Sequence, residues 1–408
     1  FPLASNIRID DYSYELPAGR IAFHPLTDRD QSRLLIYNEG HLAEDRFHHL
    51  DHYLPSGSMM VLNNTRVVQA RLSFFKESGA RIEVFCLNPL SPVVDIQMAL
   101  TQSAPVSWRC LIGNAKKWKH GRLQMKNADG EVILMAEKGD CYGEEYEVHF
   151  SWKPESKSFA EVLDLLGETP LPPYIRRPAE ASDKQVYQTV FARDEGSVAA
   201  PTAGLHFTPA VFERLSDKKI SQHFLTLHVG AGTFKPVSAP TIDQHQMHQE
   251  QFMADRELIH RLANTDKAVV CVGTTSMRTL ESLYWIGVKL LQGYRPGNAY
   301  VKLQQWMPYH PLDLKPDVKE ALQAILDYLD QNGLETLRGE TSLMIIPGFT
   351  FHLTDILITN FHQPKSTLLL LVAAFAGKDW KRMYEHALAN NFRFLSYGDS
   401  CLIFRKRD

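Results

Sequence analysis

Histidine, carboxylate, arginine and hydroxyl side chains crowd into five short stretches of this chain. The first is Ala199-Ala200-Pro201-Thr202-Ala203-Gly204-Leu205-His206-Phe207-Thr208. Its small residues, Thr202 and Gly204 among them, allow close backbone approach by a ligand, and His206 supplies a proton-transfer group. Imidazole titrates near neutrality, at a reference pKa of about 6.5. The same stretch also fits a loop before a capped helix, with His206 a hydrogen-bonded structural residue. The second, Leu227-His228-Val229-Gly230-Ala231-Gly232-Thr233-Phe234, ends a strand in a turn where Gly230 and Gly232 can present N–H groups. No third glycine follows and no helix opens at once, so a dinucleotide fingerprint is not supported. The third, Gln244-His245-Gln246-Met247-His248-Gln249-Glu250, lacks the H-E-x-x-H order of a zinc site, and no metal is expected. In an extended segment His248 and Glu250 share a face, which suits an acid/base pair or a carboxylate orienting an imidazole.

The fourth stretch, Val272-Gly273-Thr274-Thr275-Ser276-Met277-Arg278, places a strand, a glycine and three hydroxyl residues before a helix. A helix N-terminus of this kind binds a carboxylate or phosphate. Arg278 in the first turn opposes the helix dipole, a placement that an anion would explain. Plain capping by Thr or Ser is the competing account. The fifth, Ile358-Thr359-Asn360-Phe361-His362-Gln363-Pro364-Lys365-Ser366, packs Asn360, His362 and Lys365 into one loop after an apolar strand. Two basic stretches suit RNA: Ala115-Lys116-Lys117-Trp118-Lys119-His120-Gly121-Arg122, and Tyr174-Ile175-Arg176-Arg177-Pro178. Cations neutralise phosphates and aromatics stack on unpaired bases. A charged hairpin is the plainer account of each.

The elements that must hold these stretches follow from patterning. Residues 7–37 carry a short strand, a turn and the strand Leu34–Tyr37. Met59-Met60-Val61-Leu62 is a buried strand running into Asn63-Asn64-Thr65-Arg66. Between 70 and 150, alternating segments such as Arg81–Phe85 and Glu145–Phe150 are separated by Gly turns, the pattern of a small antiparallel β-barrel. A short helix over Phe159–Leu166 and a proline-rich link follow. From Gly196, strands and helices alternate, which implies an α/β domain with a largely parallel sheet. Ligands of such sheets sit at the carboxyl ends of strands, where the polar stretches fall. The expected organisation is therefore a discontinuous α/β domain, 1–69 and 151–408, with a barrel inserted at 70–150. Within it, 288–335 looks like a surface subdomain outside the sheet, with a helix from Pro316 to about Gln331 closed by Asn332-Gly333.

Composition narrows the class. The 408 residues carry 44 Lys plus Arg against 47 Asp plus Glu, a net charge of −3, with 44% hydrophobic and 22% charged residues. Disorder, rods and a general basic coat are excluded, although a local basic face is not. Five scattered cysteines without metal spacing point to reduced thiols and a cytoplasmic protein. The apolar run Thr367–Ala376 is too short to span a bilayer, so no membrane partner is expected, and the N-terminus does not resemble a signal peptide.

The ordered series Asn63–Val67, Pro170–Arg177, Ala199–Phe207, Leu227–Phe234, His245–Glu250, Gly273–Ser282, Pro347–Phe349, Ile358–Leu368 and Phe394–Asp399 resembles the S-adenosylmethionine:tRNA ribosyltransferase-isomerase family of queuosine biosynthesis. The resemblance spans roughly 7–287 and 336–404, and it implies an α/β domain with an inserted barrel. It implies transfer and isomerisation of the ribosyl group of S-adenosylmethionine onto 7-aminomethyl-7-deazaguanine in the tRNA anticodon. Epoxyqueuosine forms, and adenine and methionine leave. S-adenosylmethionine is then a substrate, no cofactor is needed, and the anticodon arm of tRNA is the partner of an expected monomer. On this basis His206, His228, His248 and Glu250 are expected to supply acid and base groups. Thr274, Thr275 and Arg278 are expected to hold the methionine carboxylate. Asn360, His362 and Lys365 would position ribose or tRNA, and Asn64, Arg66, Thr202, Gly204, Gly230 and Gly232 complete the substrate set. Lys116, Lys117, Lys119, Arg122, Arg176 and Arg177 are expected on tRNA. Gln249 and Gln363 stand where the family pattern has Ser and Leu, and 288–335 departs from it. A related transferase with another acceptor, or a catalytically silent tRNA-binding relative, are the competing readings.

Overall fold

The structure, a computed structural model, describes residues 2–405 except Ala104, Ala231, Thr233, Phe234, Lys235, Leu312 and Asp313. Three residues of the glycine-turn stretch (Ala231, Thr233 and Phe234) therefore lie outside the described residues. In chain order the strands are β1 (Arg33–Asn38), β2 (His41–Arg46), β3 (Met59–Asn63), β4 (Thr65–Val67), β5 (Arg71–Phe75), β6 (Arg81–Ser91), β7 (Val106–Gly113), β8 (Arg122–Lys126) and β9 (Val132–Tyr142). They continue as β10 (Glu145–Trp152), β11 (Asp194–Ser197), β12 (Ser221–Leu227), β13 (Glu250–Asp255), β14 (Val269–Val272), β15 (Tyr300–Leu303), β16 (Thr336–Thr341), β17 (Ile356–Asn360) and β18 (Ser400–Phe404).

The chain divides into two compact units. The first comprises 1–64, 189–192 and 201–408. Among the described residues it is built on a ten-stranded sheet of order β15-β16-β13-β12-β3-β14-β17-β18-β1-β2. Its four central strands, β12, β3, β14 and β17, run parallel to their neighbours, and antiparallel pairings enter on either side at β13 and β18. β3 and β14, at the centre, are buried along their whole length because both faces are covered. On one side Met60, Leu62, Val270, Val272, Ile356 and Ile358 pack with Phe207, Val211 and Leu215. Val61, Cys271 and Leu357, of the opposite parity, are equally buried. That side meets the helix Gly273–Leu291, which contacts β3, β14 and β17.

Thr208 caps the helix Pro209–Asp217 by accepting from Val211 N–H, with proline at the start, as the sequence predicts. Gly333 closes the helix Val318–Asn332 at φ 62°. Two expectations change. The short strand after residue 7 is a 3₁₀ turn, Ile9–Tyr12, beside a single bridge from Arg8 to Thr241. The 288–335 segment is no surface appendage: its strand β15 extends the main sheet parallel to β16, and its helix Val318–Asn332 packs on the helices Arg256–Asn264 and Gly273–Leu291. The contact is close because a Cβ at Gly287 would fall 2.0 Å from the Ala321 carbonyl oxygen. Ala321, Leu322, Ile325, Leu326 and Leu329 all bury against it.

The second unit comprises 65–188 and 193–200. Six of its strands pair antiparallel in the order β5-β6-β7-β10-β9-β8, and β5 returns to lie near β8, forming a nearly closed barrel, while β4 and β11 form a separate parallel pair. The unit runs past residue 150, where the sequence pattern ends. The helix Phe159–Leu166 belongs to it because Phe159 sits 5.4 Å, centroid to centroid, from each of Trp108, Phe150 and Trp152. A capping box between Ser158 and Glu161 starts that helix.

Candidate active site at the carboxyl edge of the sheet

Parallel β12, β3, β14 and β17 end on one edge, so topology alone gathers the residues that follow them: His228 to Gly230, Asn64, Gly273 to Arg278, and Asn360 to His362. The antiparallel neighbours β13 and β18 begin on that edge and contribute Glu250 and Ser400. Five of the sequence stretches thus converge, although they are up to three hundred residues apart.

Asn63 fastens β3 to β12, with Nδ2 donating to Leu227 O at 3.0 Å and Oδ1 accepting from Leu227 N–H at 3.0 Å. Asn64 accepts from the Thr226 hydroxyl at 2.7 Å. His228, buried at 5% exposure, pairs its backbone N–H with Gln251 O at 2.9 Å. Gly230 donates its N–H to Glu250 Oε1 at 3.1 Å, and the other Glu250 oxygen meets Arg278 Nη1 at 2.7 Å. The two side chains are 4% and 5% exposed. A carboxylate so placed has its charge balanced by the guanidinium and its lone pairs used by the turn.

Gly273 opens the long helix at φ +89°, a conformation that favours glycine. Its first turn has no side-chain cap among the described residues. The hydroxyls turn backwards instead: Ser276 and Thr279 donate to the carbonyls of Val272 and Thr275. Simple capping therefore does not account for this stretch. Among the described residues, Thr275 Oγ1 and the Nε and Nη2 of Arg278 are buried without a hydrogen-bond partner. Each such orphan costs about 1–3 kcal/mol unless a ligand or water meets it. An anion at this helix start can supply the acceptors these donors lack.

Other predicted residues have different surroundings. His206, 4% exposed, has both ring nitrogens engaged, Nδ1 with Ser32 Oγ at 2.8 Å and Nε2 with Asn360 Nδ2 at 3.1 Å. Burial pushes its pKa down to about 3, so the ring is neutral. Asn360 Oδ1 remains buried and unpaired among the described residues, as does Ser400 Oγ opposite it across β17 and β18. His362 bonds Thr359 Oγ1 at 2.8 Å, and burial holds it at about 3. Lys365, half exposed, reaches Asp10 at 2.7 Å and ties down the Ile9–Tyr12 turn. Thr202 starts a 3₁₀ segment, Thr202–His206, whose Ala203 side chain lies 3.7 Å from a Cβ built on Gly273. Gly204 admits Phe191 and Thr189, since a Cβ there would lie 2.8 Å from each. His248 fills the space a Cβ on Gly232 would need, at 2.1 Å.

Three sites expected on ligands lie in the barrel unit. Arg66 is half exposed and 3.8 Å from Glu195. Lys116, Lys117 and Lys119 share an open groove with Lys76 and His120, while Arg122 pairs with Glu137 at 2.6 Å. Trp118, expected to stack on bases, is fully buried and donates to Gly121 O at 3.0 Å, so it serves the barrel core. Arg176 is exposed, but Arg177 is committed to Asp183 through two bonds of 2.6 and 2.7 Å. Patterning missed Ser32, Ser400 and Lys76. Ser400 directly follows the Phe394–Asp399 motif, which was the available signal; Ser32 and Lys76 have none.

A cluster of Asp45, His49 and His52 gathers possible metal ligands on the surface. The two imidazole planes are nearly parallel, 8° apart at 5.0 Å, so their in-plane lone pairs do not converge. Among the described residues no helix is long and apolar enough to cross a membrane. The five cysteines are free thiols, and only Cys141 is exposed.

Residues 9–403 match the family model described as queuosine biosynthesis protein. An S-adenosylmethionine:tRNA ribosyltransferase-isomerase of Magnetococcus marinus is 37% identical over 401 residues, covering 97% of this chain and 94% of its own. Another, from Azoarcus sp., is 38% identical over 404 residues and covers 98% of both chains. The crystal structure of an S-adenosylmethionine tRNA ribosyltransferase from Thermotoga maritima is 26% identical, with a TM-score of 0.45, covering 97% of this chain and 100% of that one. Motif order, whole-length identity and family match agree: the chain belongs to the S-adenosylmethionine:tRNA ribosyltransferase-isomerase family of enzymes in queuosine biosynthesis.

Proposed function

We propose that this enzyme transfers the ribosyl group of S-adenosylmethionine to 7-aminomethyl-7-deazaguanine in the tRNA anticodon and isomerises it to epoxyqueuosine, releasing adenine and methionine. S-adenosylmethionine serves as substrate, no cofactor takes part, and the cytoplasm is the place of action. The observation that carries the reading is the buried Arg278, whose Nε and Nη2 are unpaired among the described residues, at an uncapped helix start that also leaves Thr275 Oγ1 unpaired. An α-carboxylate such as that of the methionyl group supplies the acceptors these donors lack.

The chemistry needs a base for the acidic proton on the ribose carbon beside the sulfonium, an acid for departing adenine, and a free aminomethyl nitrogen. In this reading His228 and His248 carry the proton transfers. Glu250, engaged with Arg278 and Gly230, positions the carboxylate receptor and the glycine turn. His206 acts through Asn360, which offers its free oxygen to a ribose hydroxyl. The exposed lysines Lys116, Lys117 and Lys119, with Arg176, contact tRNA phosphates.

The test is incubation with S-adenosylmethionine and tRNA bearing the aminomethyl base, following adenine release and nucleoside mass. Adenine together with epoxyqueuosine is the expected result. Adenine without a new tRNA nucleoside points to another acceptor, and tRNA binding without turnover points to a silent relative.

A further inference from the structure

We infer that a second, ring-lined cavity in the α/β unit takes an unpaired nucleobase of the RNA substrate. The inference rests on the RNA reading above and adds a binding site to it. The cavity has a volume of about 520 Å³, room for a nucleoside, and is lined by Tyr284, Trp285, Tyr309, Phe349 and His352, with Lys315 among its residues. No carboxylate lines it among the described residues.

The rings are held rigidly. The Tyr284 hydroxyl donates to Pro316 O at 2.9 Å. The Tyr309 hydroxyl donates to Met344 O at 2.9 Å and accepts from Ile346 N–H at 3.2 Å. His352 stacks on Tyr284 at 3.6 Å and 11°, and its backbone N–H is fixed by Glu281 at 2.9 Å. Burial lowers the His352 pKa to about 4, so the ring is neutral at physiological pH. A preformed stack of neutral rings offers a base its face without an ordering cost.

Two further observations favour a base over an aliphatic group. Trp285 lines the cavity and adds an indole ring to its wall. Lys315 is exposed and supplies a cation for the phosphate that accompanies every base. Trp285 lies seven residues beyond Arg278 on one helix, about 10 Å along its axis. The base assigned to this cavity is one other than the base being modified.

The experiment uses the full chain and an anticodon stem-loop hairpin carrying 2-aminopurine at each loop position in turn. One position other than the wobble base should lose its emission on binding. His352→Ala should weaken hairpin binding about tenfold, as loss of one stacking platform does. Lys315→Ala should weaken it about threefold. Trp285→Phe, which keeps a ring but shrinks the stacking surface, should weaken binding and partly restore the emission. Lys315→Ala sits on the surface, so it stays informative if His352→Ala fails to fold. Tight hairpin binding with no quenched position, or with all variants equal to wild type, overturns the cavity assignment alone. No hairpin binding by the unaltered protein overturns the RNA reading and this inference with it.

Discussion

Arg278 and Glu250 form a 2.7 Å ion pair that is almost wholly buried, yet only one of the three guanidinium nitrogens is used in it. Structural ion pairs in low dielectric normally exhaust their donors, because each unused one has lost its water. Nε and Nη2 are left without partners among the described residues, as the proposed carboxylate site requires.

This separates stability from function in a mutant cycle. Glu250→Gln alone leaves a buried unpaired guanidinium and should destabilise by about 3–5 kcal/mol. Arg278→Met alone should do the same by stranding the carboxylate. The double variant Glu250→Gln with Arg278→Met should recover most of that loss, since a neutral pair of similar volume needs no charge partner. It should not recover S-adenosylmethionine binding. Urea unfolding and ligand titration on all four proteins check this, and a double variant that binds like wild type would sink the carboxylate assignment.

Gly232 and His248 offer a second cycle. The imidazole occupies the place of the missing side chain, 2.1 Å from where a Cβ would stand. Gly232→Ala should therefore displace the ring and cut turnover by ten- to a hundredfold, at a stability cost of about 1–3 kcal/mol. In a His248→Ala background the extra methyl has room, and Gly232→Ala should then cost little further. Equal costs in both backgrounds would mean that the glycine serves backbone conformation alone.

The sequence made the site edge legible and its wiring illegible. Continuous apolar runs such as Met59–Leu62 announce a strand covered on both faces, and the polar residues after each run mark its carboxyl end. Residue spacing does not encode that Ser32 would fix His206 from 174 positions away. Nor does it show that Lys365 would turn to Asp10 rather than into the site. Trp118 misled because an aromatic among lysines looks the same whether it faces solvent or a barrel core. Tyr300–Leu303 was missed as a sheet strand because four residues beside glycine and proline breaks carry too little pattern.

Two buried histidines predict a pH dependence with a definite sign. His206 and His362 have folded pKa values near 3, below the unfolded value of about 6.5. Between those limits the unfolded chain binds more protons, so stability rises with pH there. The contribution is complete above about pH 6.5 and is lost as pH falls toward 3. From pH 7.5 to pH 5 each histidine should cost about 2 kcal/mol. His206→Gln should remove its share of that slope, as measured by urea midpoints at the two pH values, and an unchanged slope would deny the buried neutral state.

The two basic stretches of the barrel unit should behave oppositely when tRNA binding is followed against salt. Lys116, Lys117 and Lys119 are exposed and line one groove with Lys76, whose ammonium donates to Lys117 O at 2.9 Å. Replacing the three by alanine should weaken tRNA binding and lower the slope of log K against log salt by about two, since each phosphate contact contributes roughly 0.7–0.9. Arg177, by contrast, spends two bonds on an Asp183 carboxylate whose side chain is 0% exposed. Arg177→Ala should leave the slope where it was and destabilise the unit by about 3–5 kcal/mol, the cost of an uncompensated buried charge. Adding Asp183→Asn to Arg177→Ala should return much of that stability. If Arg177→Ala instead flattens the salt slope without lowering the unfolding midpoint, the guanidinium leaves Asp183 for phosphate when tRNA binds, and its role is recognition.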